Sequence, residues 1–165
     1  MHRNQEFLRE LTREAAVTRK MLTVVPNDKF DWKPHPKSMN IRQLAGHIAE
    51  LPSWVKMVIN TDELDFAENA YVSPDINETK TLLALFEKNL AEAQDELAKV
   101  QDEILDQSWT LRNGDQVYSK EPKADVIRMS FSQIIHHRAQ LGVFLRLLDV
   151  AIPGSYGPSA DDASF

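Results

Sequence analysis

A chain of 165 residues, 42% hydrophobic and 27% charged, has the composition of a globular protein with a core of ordinary size. Its net charge of −6 argues against non-specific nucleic-acid binding, which needs a basic face; no apolar run reaches the length of a membrane span, and the absence of cysteine excludes disulfides, thiolate ligands and a cysteine nucleophile. Five glycines with no GxGxxG or P-loop pattern argue against a phosphate-cradling fold, and an N-terminus without an apolar h-region leaves the cytoplasm as the expected location.

The first predicted helix runs from Arg3 to Val25, with Phe7, Leu8, Leu11, Ala15, Met21, Leu22 and Val25 at helical spacing. Pro26-Asn27-Asp28 stops it. The stretch from Phe30 to Lys37 carries two prolines one residue apart, which a helix interior does not tolerate. It reads as an extended connector that lays Phe30 and Trp32 on the core. The second helix opens on Asn40, with Gln43 three residues later as in a capping box. Its buried side is Ile41, Leu44, Ile48, Leu51, Val55 and Val58; His47 sits on or beside that side, and Pro52 predicts a kink. Residues 60–77 are polar and irregular and read as a loop. A third helix spans Glu78 to Val100 on Leu82, Leu83, Leu85, Phe86, Leu90, Ala93 and Leu97.

From Trp109 to Tyr118 the pattern alternates around Asn113-Gly114, a hairpin signal. This is either a small ribbon or an ordered loop, and a ribbon must pack on the helices because a lone hairpin is marginal in water. The fourth helix opens near Pro122 and continues to about Asp149 on Val126, Ile127, Phe131, Ile134, Leu141, Phe144, Leu145 and Leu148. The tail from Pro153 to Asp162 is not helical, and Tyr156 is its candidate anchor. Four long amphipathic helices with one irregular insertion predict an all-α, four-helix bundle forming a single domain over residues 1–165.

The stretch from Ser130 to Leu141 holds two of the five histidines side by side. Steps of three or four from Val126 run through Ser130, Gln133, His137, Leu141, Phe144 and Leu148. His137 thus continues a largely apolar face, where an unpartnered imidazole is costly. His136 is rotated by about 100°, so one of the pair turns to solvent or only supports the other. One helix offers at most two ligands to a mononuclear centre, and His47 is the histidine buried in a helical pattern elsewhere. Two neutral imidazoles, the side-chain oxygen of Gln133 and an open position for water suit a divalent transition metal. Glu50, one turn past His47, is a further ligand or an acceptor for one. The competing reading makes His47 and His137 core histidines satisfied by backbone or acid partners. His2 and His35 receive no role. Trp32 and Trp54 either line a substrate pocket or anchor the core, and Arg138 either holds an anionic substrate group or is solvated or ion-paired. Gly46 either admits a neighbouring helix or is neutral, and Glu87, Glu92, Asp95 and Glu96 form a charged outer face.

Trp32-Lys33-Pro34-His35-Pro36, the segment Leu44 to Glu50, and His136-His137-Arg138-Ala139-Gln140-Leu141 followed by Phe144-Leu145-Arg146 resemble the DinB-like superfamily (DinB/YfiT type), over nearly the whole chain. The resemblance implies a four-helix bundle, often a homodimer, with nickel or zinc held by three histidines. One comes from the second helix, matching His47; two come from the last helix as H-x-x-x-H, whose second matches His137. The first falls on Gln133, a departure from the family pattern. Some relatives are S-transferases in which the ion binds a small thiol cofactor and lowers its pKa for attack on a small-molecule substrate; the same site could activate water for hydrolysis. No Ser-His-Asp or Cys-His arrangement competes with the ion as the main catalytic group. The alternative of a different class is a non-enzymatic stress-response binding module with a structural or absent metal. A ferritin-like diiron centre fits poorly, because His47-x-x-Glu50 reverses the required order and has no second copy. Met57 and Ile59 are expected as exposed apolar residues favouring dimerisation.

Overall fold

The periodic apolar segments fold as the helices their spacing predicts. The computed structural model describes residues 2–163. It contains α1 (Arg3–Thr23), α2 (Ile41–Glu50), α3 (Ser53–Asn60), β1 (Glu63–Asp65), α4 (Thr79–Lys99), α5 (Asp102–Leu105), β2 (Ser108–Asn113), β3 (Gln116–Pro122) and α6 (Lys123–Leu147). α1 packs on α4 and α6, and the α2–α3 pair packs on the same two helices. The first two long helices of the chain are therefore diagonal neighbours, and the connector between them spans that diagonal. Leu11, Leu22, Ile41, Leu44, Ile48, Leu82, Phe86, Leu97 and Phe131 are among the fully buried side chains. Each contributes about 1.5–3 kcal/mol relative to exposure.

The start of α2 leaves no amide without a partner. Asn40 Oδ1 accepts from the Gln43 amide at 2.8 Å and Gln43 Oε1 accepts from the Asn40 amide at 3.0 Å, closing the predicted capping box. The Ile41 amide donates to the Trp32 carbonyl (3.0 Å), the Arg42 amide to the Phe30 carbonyl (2.8 Å), and the Leu44 amide to the Asn40 carbonyl (3.0 Å). The connector is thus a second cap, and Phe30 is 2% exposed beneath it.

Pro52 divides the second rod into α2 and α3, with Leu51 and Pro52 keeping helical torsions. The proline ring has no N–H to give, so the ladder is interrupted there. In the same turn the Ala49 carbonyl accepts from the buried side chain of Asn89 on α4, at 2.9 Å. Asn89→Leu removes the donor and leaves that carbonyl buried. The expected loss is about 1–3 kcal/mol, seen as a lower urea midpoint at unchanged slope.

Residues 60–77 are not wholly irregular. β1 pairs parallel with β2, and β2 pairs antiparallel with β3. A three-residue strand carries no alternation to read. It forms because Asp65, 4% exposed, accepts the amides of Gly114 and Ala67, both at 2.9 Å, and pairs with Arg112 at 3.0 Å. Those two amides and Arg112 hold the Asp65 carboxyl below its usual range. The hairpin turns on Gly114-Asp115, with Gly114 at φ +56°, a conformation that favours glycine. The ribbon is seated by Trp109, 1% exposed, whose indole donates to Thr61 Oγ1 at 3.0 Å. Met57 and Ile59 are half-buried against the core rather than exposed, because α3 lies between α4 and α6. Over Gly46 lies the connecting loop, not a helix: an added Cβ would meet Ile76 Cδ1 at 3.2 Å and Pro74 Cγ at 3.6 Å.

α6 stops two residues short of the predicted end. Asp149 takes φ 58°, its amide bonds the Arg146 carbonyl (3.1 Å) and the Val150 amide bonds the Leu145 carbonyl (3.0 Å), the reciprocal pattern of a Schellman ending. The tail then returns across α1 and α6, and Tyr156 anchors it through Glu14 and Arg138, each at 2.7 Å.

Candidate metal centre

His47 lies on α2 and His137 on α6, two helices that pack directly. Trp32, bonded to the first residue of α2, meets Phe144 edge-on at 5.8 Å between ring centroids, while His47 meets His137 at 4.8 Å with an interplanar angle of 75°. Advancing along α2 therefore retreats along α6, and the two helices run antiparallel. Both imidazoles are half-buried at the seam.

His137 is oriented by its own helix. Its Nδ1 lies 2.8 Å from Oε1 of Gln140, one turn further on. An amide oxygen only accepts, so Nδ1 is the donor in this pairing. Burial lowers the His47 pKa, and the facing His137 lowers it further, both favouring the neutral ring. A neutral imidazole with a free lone pair is the form that binds a metal. Each ring faces the other rather than an acid, and His137 makes its hydrogen bond to a side chain of its own helix.

Of the three ligands predicted from sequence, His47 and His137 are brought together. Gln133 stands half-buried on α6, one turn before His137. By the antiparallel register it lies level with Glu50 and Leu51 of α2. No group of three or more histidine, cysteine, aspartate or glutamate side chains that could hold a metal ion occurs among the described residues, so a third protein donor here has to be of another kind. Gln133 is a side chain of such a kind, and an amide oxygen beside two imidazoles is a donor combination that divalent transition ions accept. His136 is exposed, with its ring 4.8 Å from that of His137. Glu50 is half-buried and accepts from the Tyr71 hydroxyl at 2.8 Å. Burial raises its carboxyl pKa, and that hydrogen bond opposes the shift.

The other candidates divide. Trp32 of the connector and Phe144 of α6, two turns beyond His137, form a half-buried aromatic pair. Trp54 packs on Trp109 at 6.1 Å and belongs to the seat of the ribbon, not to this seam. Arg138 does not face the seam: it is 3% exposed and ion-paired to Glu14 at 2.7 Å. Gln140 and Tyr71 carried no signal in the sequence, although Gln140 stands three residues after His137, a spacing at which helical side chains meet.

The family model described as the DinB family matches residues 1–164. No curated protein matches the sequence. Among solved structures, a DinB-like protein from Bacillus cereus ATCC 10987 superposes with a TM-score of 0.71 at 21% identity, over 92% of this chain and 97% of that one. YfiT from Bacillus subtilis, described as a probable metal-dependent hydrolase with an unusual four-helix bundle topology, gives 0.65 at 13% identity, over 90% and 89%. The mycothiol-dependent maleylpyruvate isomerase gives 0.62 at 15% identity, over 84% of this chain and 60% of that one. At these identities the structural likenesses establish the shared four-helix fold.

Proposed function

The chain belongs to the DinB family, and from that premise we propose that it is a metal-dependent enzyme whose ion is held by His47, His137 and the side-chain oxygen of Gln133. Nickel or zinc suits such a donor set. The observation that carries the reading is the convergence of the two imidazoles, 4.8 Å apart between centroids, with the His137 ring oriented by Gln140. When bound, the ion supplies Lewis acidity that lowers the pKa of a thiol or water brought to it. The protein's own share is to favour the neutral form of His47, to orient the His137 ring through Gln140, and to border the seam with the Trp32–Phe144 pair, against which an apolar substrate would lie. Transfer of a small thiol to an electrophile is the favoured reaction, because one fold neighbour uses mycothiol. Hydrolysis is the second reading, because another is described as a probable hydrolase.

The two separate in one assay. Protein loaded with nickel or zinc is given 1-chloro-2,4-dinitrobenzene with a small thiol, and p-nitrophenyl acetate without one. Metal-dependent turnover of the first, lost in His47→Ala, supports thiol transfer; turnover only of the second supports hydrolysis. Tight stoichiometric metal with neither activity, across a panel of thiols, would leave a non-enzymatic binding module.

A further inference from the structure

We infer that the outer face of α6, together with the groove between that helix and the C-terminal tail, is the surface on which a second copy of this chain docks in a two-fold dimer. The inference goes beyond the metal reading and does not rest on it.

α6 packs on α1 on one side and on α2 and α3 on the other, which leaves its outer side open to solvent. Met129, Ser132, His136, Gln140, Val143 and Leu147 follow one another by steps of three or four, so they share that side, and all six are exposed. Val143 is 59% and Leu147 60% exposed, and Met129 is a third large apolar side chain in water. Scattered exposed apolar residues are ordinary, whereas a row of them on one helix face marks an interaction site. Beside Val143 and Leu147 runs a groove of about 380 Å³, walled by Met21 and Gly142 and, from the tail, by Ile152 and Pro153. The tail wall is tied in place. Ser159 Oγ donates to the Ile152 carbonyl at 2.6 Å, the Ile152 amide donates to Asp161 at 3.0 Å, and Arg146 pairs with Asp161.

Charge, shape and area point to a second copy as the occupant. Each chain carries a net charge of −6, so two copies repel wherever their acids meet. On this face they do not meet, because α6 has Asp125 in its first turn and no other acid through Leu147. The charges bordering the row are already engaged: Arg128 by Glu10, Arg146 by Asp161, and Asp162 by the Gly154 amide. A two-fold contact also requires a patch that is its own complement. Here two projecting apolar side chains stand next to an apolar groove, and the two-fold sets those of one chain into the groove of the other. In outline α6 is about 37 Å long and about 10 Å wide, roughly half of the 800 Å² or so that a stable interface buries on each partner. The tail strip beside it supplies the remainder, so groove and helix face belong to one interface.

Sedimentation equilibrium of the full chain tests this. Wild type should be a dimer with a Kd in the micromolar range or tighter. Val143→Glu and Leu147→Glu each bury an unpaired carboxylate twice in a two-fold contact, and each should weaken that Kd by about a hundredfold or more. Val117→Glu, at a similarly exposed position on β3, should dimerise as wild type does. Wild type that stays monomeric at millimolar concentration overturns the inference. So does a dimer that both α6 variants leave within twofold of wild type, or that Val117→Glu weakens as much as they do. A monomeric wild type that binds anilinonaphthalene sulfonate, with binding lost in Leu147→Glu, makes the groove a small-molecule pocket and overturns it as well. Should one α6 variant lose its helical signal by circular dichroism, the other decides alone.

Discussion

His137→Ala is expected to abolish stoichiometric binding of nickel or zinc while leaving the helical fold intact. The imidazole is half-buried at a seam rather than in the core, so its loss opens no large cavity. It does remove an imidazole that faces the His47 ring and is oriented by a 2.8 Å hydrogen bond to Gln140. Loss of a supporting partner alone weakens metal sites by about 10–100-fold, and loss of a ligand is expected to exceed the upper figure. Elemental analysis after equilibration at micromolar metal should therefore find about one ion per wild-type chain and close to none per variant. Gln140→Leu should fall between, since His137 keeps its ring but not its orientation. Gln133→His is the reverse test. It supplies a third imidazole one turn before His137 and should tighten binding by roughly tenfold, imidazole being the stronger donor to these ions. Equal metal content in wild type and His137→Ala would remove the centre from the seam altogether. Unchanged affinity in Gln133→His would leave His47 and His137 in place and strike out position 133 as a ligand.

The long helices were legible because their burial is periodic and local. Phe7, Leu11, Ala15 and Leu22 on α1, or Leu82, Phe86, Leu90 and Leu97 on α4, announce a face by spacing alone, and that face is buried. The Asn40–Gln43 cap is equally local. What spacing does not show is which side chains from distant segments meet. Steps through Val126, Ser130, Gln133 and His137 set His137 on the apolar face, whereas the buried line of α6 is broad and takes in Ile127, Phe131, Ile134, Arg138, Leu141 and Leu145. A helix flanked on two sides, by α1 and by α2–α3, buries a wide stripe, and the histidine lies on its flank. The juxtaposition of His47 with His137 depends on α2 packing against α6, a matter of topology that the family resemblance supplied and periodicity did not. Asn89, Tyr71 and Glu14 were unreadable for a common reason. Each is an ordinary polar residue on a helix or loop, and its partner lies at least 21 residues away in the chain.

Arg138→Ala should be among the most destabilising single substitutions in the protein. Arg138 is 3% exposed and Glu14 is 9% exposed, and their pair is the centre of a closed polar cluster. Nη1 donates to Glu14 Oε2 at 2.7 Å and to Thr18 Oγ1 at 3.0 Å, while Nη2 donates to the Tyr156 hydroxyl at 2.7 Å. Tyr156 in turn donates to Glu14 Oε2 at 2.7 Å, and the guanidinium carbon lies 5.2 Å from the centroid of its ring. Burial and the Glu14 carboxylate push the Tyr156 phenol pKa up, so the hydroxyl keeps the proton it donates. Truncating the arginine strands a buried carboxylate, a change that costs about 3–5 kcal/mol. For a chain of this size that is a fall of roughly 10 °C in Tm. The Glu14→Leu, Arg138→Met double variant should recover most of the loss, because well-packed apolar side chains often replace a buried pair without penalty. Tyr156→Phe isolates the tail: it should cost about 1–3 kcal/mol and expose residues 150–163 to proteolysis while α1 and α6 stay protected. If Arg138→Ala melts within about 2 °C of wild type, well short of that fall, the cluster is only a solvated contact of the tail. Its burial would then have to be an effect of the tail lying over it rather than the reason the tail is held.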